Sequence, residues 1–183
     1  MKEIIKAKGE WSFYSLAPEI KENDFAIAQI RNIEREIVPK DGAKEILNHL
    51  IKTGIVLRVS HQENLVPTCG RTILARNLAG TVSPTPAINY IALGTGTLAF
   101  TNASVQLNTE AYRKILSDAS YDSNIAYIDC FIASGDVANQ TFKEAGAFIN
   151  GAAGANTGTA FSLVVQDFIK SGSMYISLKI TLT

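Results

Sequence analysis

The chain has 183 residues, of which 46% are hydrophobic and 19% charged; this suits one folded domain, with or without a small extra segment, and excludes wholesale disorder. The 17 basic and 17 acidic side chains leave no net charge, which argues against a protein built to hold a nucleic-acid backbone. No apolar run approaches the ~18 residues that span a bilayer, and the first residues lack an apolar stretch of secretory length, so we expect neither a membrane anchor nor a signal peptide.

The N-terminal part of the chain is predicted to contain short strands and helices. Residues 11–16 are typical of a strand that ends before Pro18. Four apolar residues then follow at helical spacing, namely Ala26, Ile30, Ile33 and Ile37. This stripe either packs on the protein's own core or forms a seam with another copy of the chain.

A second helix, a strand and a third helix are predicted next. Apolar residues over 43–51 repeat with the period of an amphipathic helix, with Asp41 as its candidate N-cap and Gly54 as its terminating glycine. Residues 55–60 are typical of a strand, and Thr68 is a candidate cap for the third helix.

The distribution of charge predicts a boundary near residue 80. Residues 1–80 carry 22 of the 34 charged side chains, whereas residues 81–183 are rich in small and polar residues. Two prolines and a glycine in residues 80–86 interrupt regular structure. We therefore predict an N-terminal docking segment over 1–80 and a β-sandwich domain over 81–183, with the alternative that both form one continuous core.

The second part of the chain is predicted to be β-structure. Alternation of apolar and polar residues over 176–183 is typical of a half-buried strand. Three further strands are predicted over residues 88–93, 125–133 and 161–165. The predicted fold class is α+β, with an antiparallel β-sandwich body preceded by helices and short strands.

The search for catalytic and metal-binding motifs is negative. Residues 94–96 form a Gly-Thr-Gly turn without the remaining residues of a phosphate-binding or dinucleotide-binding loop. The spacing of His49, His61 and Cys69 matches no zinc-binding motif. His61 is a candidate base, but the sequence contains no nucleophile-elbow motif whose serine it could activate. We expect no enzyme activity, no cofactor and no metal, and we expect Cys69 and Cys130 to be reduced.

Four short blocks occur in an order that resembles a known family. They are residues 63–76, with Glu-Asn-Leu-Val and Ile-Leu-Ala-Arg; 90–97, Tyr-Ile-Ala-Leu-Gly-Thr-Gly-Thr; 112–114, Tyr-Arg-Lys; and 138–148, with Lys-Glu-Ala-Gly-Ala-Phe. Together with the alternating C-terminal strand, they resemble small tail-fibre-like virion structural proteins of tailed bacteriophages, over roughly residues 63–183. Gln140 departs from the family, which often has glycine at that position.

The resemblance implies a non-enzymatic virion component that acts through subunit interfaces, either as a fibre-like tail or baseplate protein or on the capsid surface. It implies assembly in the bacterial cytoplasm and location in the virion. The implied partners are other virion proteins and copies of the chain itself, with a trimer favoured, and neither nucleic acid nor a membrane. An alternative function is receptor or glycan binding, which makes a host receptor a further candidate partner.

The motif residues are interpreted as framework. Gly94 and Gly96 would allow a sharp exit from the preceding strand, and Gly146 would allow a turn or the close approach of a neighbour. Glu144 would either accept backbone N–H groups in a loop or pair with Arg113.

Overall fold

The computed structural model describes residues 7–81, 83 and 85–183. The elements in chain order are β1 (Ala7–Leu16), α1 (Phe25–Glu34), α2 (Lys40–Lys52), β2 (Val56–Glu63), α3 (Thr68–Leu78), β3 (Ile88–Gly94), β4 (Glu110–Ile115), β5 (Asp118–Asp122), β6 (Ile125–Ile132), β7 (Gln140–Ile149), β8 (Thr159–Lys170) and β9 (Ser173–Leu182). Across those ranges, no helix combines the length and the apolar character needed to cross a membrane.

The strands form two antiparallel sheets, so the predicted α+β sandwich is confirmed. The five-stranded sheet has the order β2-β1-β9-β6-β5, and the four-stranded sheet has the order β4-β3-β7-β8. β1 pairs with β9 along its whole length, from Ala7 opposite Leu182 to Leu16 opposite Ser173. The N-terminal segment thus supplies two of the five strands of a sheet whose other strands come from the second part of the chain.

The main core lies between the sheets and holds side chains from both parts of the chain. Alternation along β1 directs Trp11 and Phe13 into this core, and their rings stack with centroids 5.6 Å apart. The ring of Phe13 also stacks on Phe168 of β8, with centroids 4.2 Å apart. The indole N–H of Trp11 donates to Ser162 Oγ at 2.9 Å, so the one polar atom of this large buried side chain is satisfied.

Both outer faces of the sandwich are partly covered. α1 and α2 pack on the five-stranded sheet through a second apolar cluster that includes Ile27, Ile30, Leu50 and Tyr175. On the four-stranded sheet, α3 and the segment over residues 95–109 cover a third cluster. α3 comes close to β8 at Gly70, where a Cβ atom would lie 2.9 Å from the Cα of Phe161.

Two predicted helix starts and one predicted helix extent are wrong. Asp41 lies inside the first turn of α2 and makes no capping hydrogen bond, because the helix begins at Lys40 after Pro39. Thr68 is the first residue of α3 rather than its cap. α1 ends at Glu34, and Glu36 has a left-handed φ of 54°, so Ile37 lies outside the helix.

Three strands, β4, β5 and β7, are not predicted from the sequence. The most consequential is β7, whose Ala145-Gly146-Ala147 centre has low intrinsic preference for a strand. β7 forms because it lies between β3 and β8 and pairs with both.

Candidate functional sites

Glu144 is fully buried on the outer face of β7, and its carboxylate accepts four hydrogen bonds. Oε1 accepts from the backbone N–H groups of Gly96, at 3.1 Å, and Thr109, at 2.6 Å. Oε2 accepts from the backbone N–H and the side-chain amide of Asn108, at 2.9 and 3.0 Å. Of the two arrangements considered for Glu144, the structure has the backbone one: the carboxylate anchors the segment over residues 95–109 to the sheet.

The structure brings Gly94 and Gly96 to this carboxylate. A Cβ atom at Gly96 would lie 2.6 Å from Glu144 Oε1, and a Cβ at Gly94 would meet the same oxygen. These glycines are required for space around the buried carboxylate. Gly146 lies elsewhere, in the middle of β7, and the turn considered there is absent; a Cβ would lie 2.8 Å from the ring of Phe148.

Arg113 is paired with Glu110 and not with Glu144. The guanidinium donates to both carboxylate oxygens of Glu110, at 2.6 and 2.7 Å, and it lies 5.1 Å from the centroid of the Phe148 ring. Its third nitrogen donates to the carbonyl oxygens of Ala152 and Thr157, each at 3.0 Å. This saturated, buried pair holds the loop over residues 150–158 in place.

A polar cluster that is not predicted from the sequence lies between β1, β2 and α1. The pairing register places Ser12 opposite His61, with Ser12 Oγ 2.8 Å from His61 Nδ1. Ser12 donates to Glu34 Oε2 at 2.9 Å, and the Tyr14 hydroxyl donates to Glu34 Oε1. Only the strand register, which the sequence does not reveal, brings Ser12 and His61 together.

The hydrogen bonds of Ser12 depend on the tautomer of His61. With the tautomer protonated at Nδ1, Ser12 Oγ accepts from His61 and donates its one proton to Glu34 Oε2. In that tautomer, His61 Nδ1 does not accept the Ser12 proton. Burial raises the pKa of Glu34 against the opposing effect of its bonds from Tyr14 and Ser12.

This cluster opens onto a groove of about 560 Å³. The charged side chains at the rim of the groove form ion pairs with one another. Lys179 bonds to Glu36 at 2.5 Å, and Lys8 bonds to Glu63 at 2.8 Å and to Glu10 at 3.1 Å. Among residues 7–81, 83 and 85–183, no three His, Cys, Asp or Glu side chains are arranged to hold a metal ion.

A second charged cluster fixes α1 to the five-stranded sheet. Arg35 donates to Asp118 at 2.7 Å and to Asp129 at 2.9 Å, while Ser177 Oγ donates to the other oxygen of Asp129 at 2.9 Å. The hydrogen bond from Arg35 is the main cause of a lowered pKa for the Asp118 carboxyl. Asp129 is almost fully buried beneath α1, so this cluster contributes to the attachment of the helix.

The two cysteines do not form a disulfide bond with each other. Cys69 and Cys130 are both free thiols, as the sequence predicts. Burial raises the pKa of Cys130 to about 12, which leaves its sulfur in the unreactive thiol form.

The predicted stripe is not one continuous seam. Ala26 and Ile30 are buried on the protein's own sheet, at 7% and 0% exposure, so the interpretation as core packing holds for these two residues. Ile33 is half-buried, and Ile37, beyond the end of α1, is 65% exposed.

Two apolar surfaces lie outside these clusters. The α1–α2 groove has a volume of about 650 Å³ and is lined by apolar side chains including Phe25, Ile46 and Leu50, with Asp24 and Glu45 among its polar residues. The α3 patch surrounds a depression of about 670 Å³ and comprises Arg71, Leu74, Ala75, Leu78, Pro86 and Leu182. Phe25 is 77% exposed and Leu78 is 82% exposed.

The chain matches no protein-family model, no curated protein and no solved structure in comparisons with known proteins.

Proposed function

We propose that the protein is a non-enzymatic structural component of a tailed bacteriophage virion that acts through subunit interfaces. It is a fibre-like protein of the tail or baseplate, or an auxiliary protein on the capsid surface, and it assembles in the bacterial cytoplasm. The observation that carries the proposal is the presence of two apolar surfaces, the α1–α2 groove and the α3 patch, on a chain whose described ionic clusters are internally paired. The resemblance over residues 63–183 supplies the virion context.

The apolar surfaces support an interface role through their exposure. A side chain as large as Phe25 or Leu78 loses about 1.5–3 kcal/mol of favourable burial while it stays in water. Isolated exposed apolar residues are ordinary, but here each lies beside a further apolar depression. Apolar centres with charged residues at the rim are the usual composition of a subunit interface.

The polar clusters support the non-enzymatic part of the proposal. The Ser12 hydroxyl donates a hydrogen bond to Glu34, and Glu144 accepts hydrogen bonds from backbone N–H groups. The Arg113 guanidinium is enclosed by Glu110 and by carbonyl groups of the loop. Each group therefore holds two pieces of the fold together. A catalytic carboxylate or nucleophile needs a free position facing a substrate.

Receptor or glycan binding is the second candidate function. Tyr121, on the edge strand β5, is 84% exposed, and an exposed aromatic ring is a common platform for a sugar face. A glycan array and whole-cell binding, each with Tyr121→Ala as the matched variant, test this candidate. Saturable binding by the wild type that the variant loses would establish it.

The direct test of the virion role is peptide mass spectrometry of gradient-purified phage particles from cells that express the chain from a phage genome. We expect its peptides to co-purify with particles at a fixed copy number relative to the major capsid protein. Recovery only in the unassembled soluble fraction would overturn the proposal.

A further inference from the structure

We propose that the α3 patch of one copy docks into the α1–α2 groove of a second copy, so that the chain associates head to tail with itself. This inference rests on the proposed function and identifies the partner in one of the proposed interfaces as another copy of the chain. The two surfaces share no residue, so each copy offers both at once.

Charge complementarity selects this pairing. The α3 patch includes one arginine, Arg71, and no acidic residue. Its guanidinium donates to one backbone carbonyl and two neutral side-chain oxygens, and across the described ranges it forms no ion pair. The α1–α2 groove instead presents Asp24 and Glu45, which likewise have no cationic partner among the residues described.

The apolar parts of the two surfaces also complement each other. Leu78 is 82% exposed at the end of α3, and Leu74 is half-buried one turn earlier. The groove offers the half-buried side chain of Ile46 between two helices, with Phe25 exposed at its edge. An exposed helix with apolar residues four apart is the form that a groove between two helices accepts.

The same charges oppose the symmetrical alternatives. Groove against groove would bring Asp24 and Glu45 of two copies together, and patch against patch would bring two copies of Arg71 together. Like charges across an interface disfavour the wrong pairing. A groove-to-patch contact is heterologous, and such contacts form a closed ring, a trimer included, when the rotation between copies closes.

A charge-swap experiment on the full chain tests the contact. Glu45→Lys alters only the groove, Arg71→Glu alters only the patch, and the double variant restores opposite charges with their sides exchanged. Glu45 and Arg71 are both exposed, and because Arg71 also bonds to Val66, Thr68 and Asn102, circular dichroism and the unfolding midpoint check that each variant folds. Leu78→Asp, at a position that is 82% exposed, is a second patch variant that should weaken the contact in the same way. Arg58→Glu, an exposed arginine on β2 outside both surfaces, is the matched control.

Sedimentation velocity and light scattering over a concentration series give the readout. We expect the wild type and Arg58→Glu to self-associate, each single variant to raise the dissociation constant by about tenfold or more, and the double variant to return to within about threefold of wild type. A wild type that stays monomeric to about 100 µM, or a double variant no better than the singles, would overturn the contact.

The virion role is scored separately. Monomeric wild-type protein whose peptides are still found in purified particles would refute self-docking and leave the structural role standing. Restored self-association by the double variant, with no peptides in particles, would refute the virion role and leave self-docking standing.

Discussion

Replacement of Glu144 by glutamine tests whether this carboxylate anchors the segment over residues 95–109. Glutamine keeps one acceptor oxygen, which can retain the bonds from Gly96 and Thr109. Its new NH2 group would then face the backbone N–H and the side-chain amide of Asn108, which are both donors. The side-chain amide of Asn108 cannot rotate by 180° to present its oxygen to this NH2 group, because it would lose its 2.9 Å hydrogen bond to the Leu98 carbonyl.

The expected loss of stability follows from this count of donors. Each hydrogen bond to a charged group contributes about 1.5–3 kcal/mol, so two lost bonds amount to about 3–6 kcal/mol. The lower desolvation cost of a neutral amide returns part of this, and we expect a net loss of about 3 kcal/mol for Glu144→Gln.

Urea unfolding measures the change in free energy, and hydrogen exchange locates it. The exposed residue Glu19 provides the matched control, since Glu19→Gln should lie within about 0.5 kcal/mol of wild type. Faster exchange is expected at the amides of Gly96, Asn108 and Thr109 alone. A Glu144→Gln protein within about 1 kcal/mol of wild type, with unchanged exchange at these amides, would refute the anchoring role.

Three further predictions concern other buried groups. Gly96→Ala should cost about 2 kcal/mol in urea unfolding, because its Cβ would lie 2.6 Å from both Glu144 Oε1 and Asn108 Cβ; a loss below about 0.5 kcal/mol would argue against the clash. Burial raises the pKa of Glu34 above its usual 4.5, so wild type should gain stability relative to Glu34→Gln as pH falls from about 8 to about 5, and a constant or reversed difference would contradict this. Burial also lowers the pKa of Lys170, whose ammonium bonds to the backbone carbonyl of Ser134, an exposed residue, so Lys170→Met should raise the free energy of unfolding by about 1 kcal/mol; a loss of that size would count against a buried-charge penalty.

Periodicity predicted the elements in which burial follows a simple rule. The alternation over residues 176–183 corresponds to β9, where Ile176, Leu178 and Ile180 are buried in the main core. The same pattern failed for β7, because glycine at 146 is required by the side chains of Phe148 and Leu163, which a Cβ would meet at 2.8 and 3.0 Å, and not by strand preference.

The helix stripe shows a second limit. Ala26 and Ile30 follow the helical period and are buried as it predicts, but Ile37 shares the spacing by coincidence, since the backbone turns left-handed at Glu36 before reaching it. Spacing reports where a helix would place a side chain and does not report where the helix ends.

The polar residues divide in the same way. For Glu144 the sequence left two roles open, acceptance from backbone N–H groups or pairing with Arg113, and only the fold decides between them. The hydrogen bonds from His61 through Ser12 to Glu34 join three separate elements, and no local sequence pattern predicts them. Contacts of this kind depend on register and helix docking, which only the folded chain defines.

The placement of β9 has a consequence for synthesis. This strand lies between β1 and β6, although the ribosome makes it long after both. Until residues 173–182 have emerged, β1 and β6 have no shared neighbour, and Trp11 and Phe13 lack much of their surroundings. A nascent or truncated chain without that segment would expose strand edges with unpaired backbone N–H and C=O groups, and would be a substrate for chaperones and proteases.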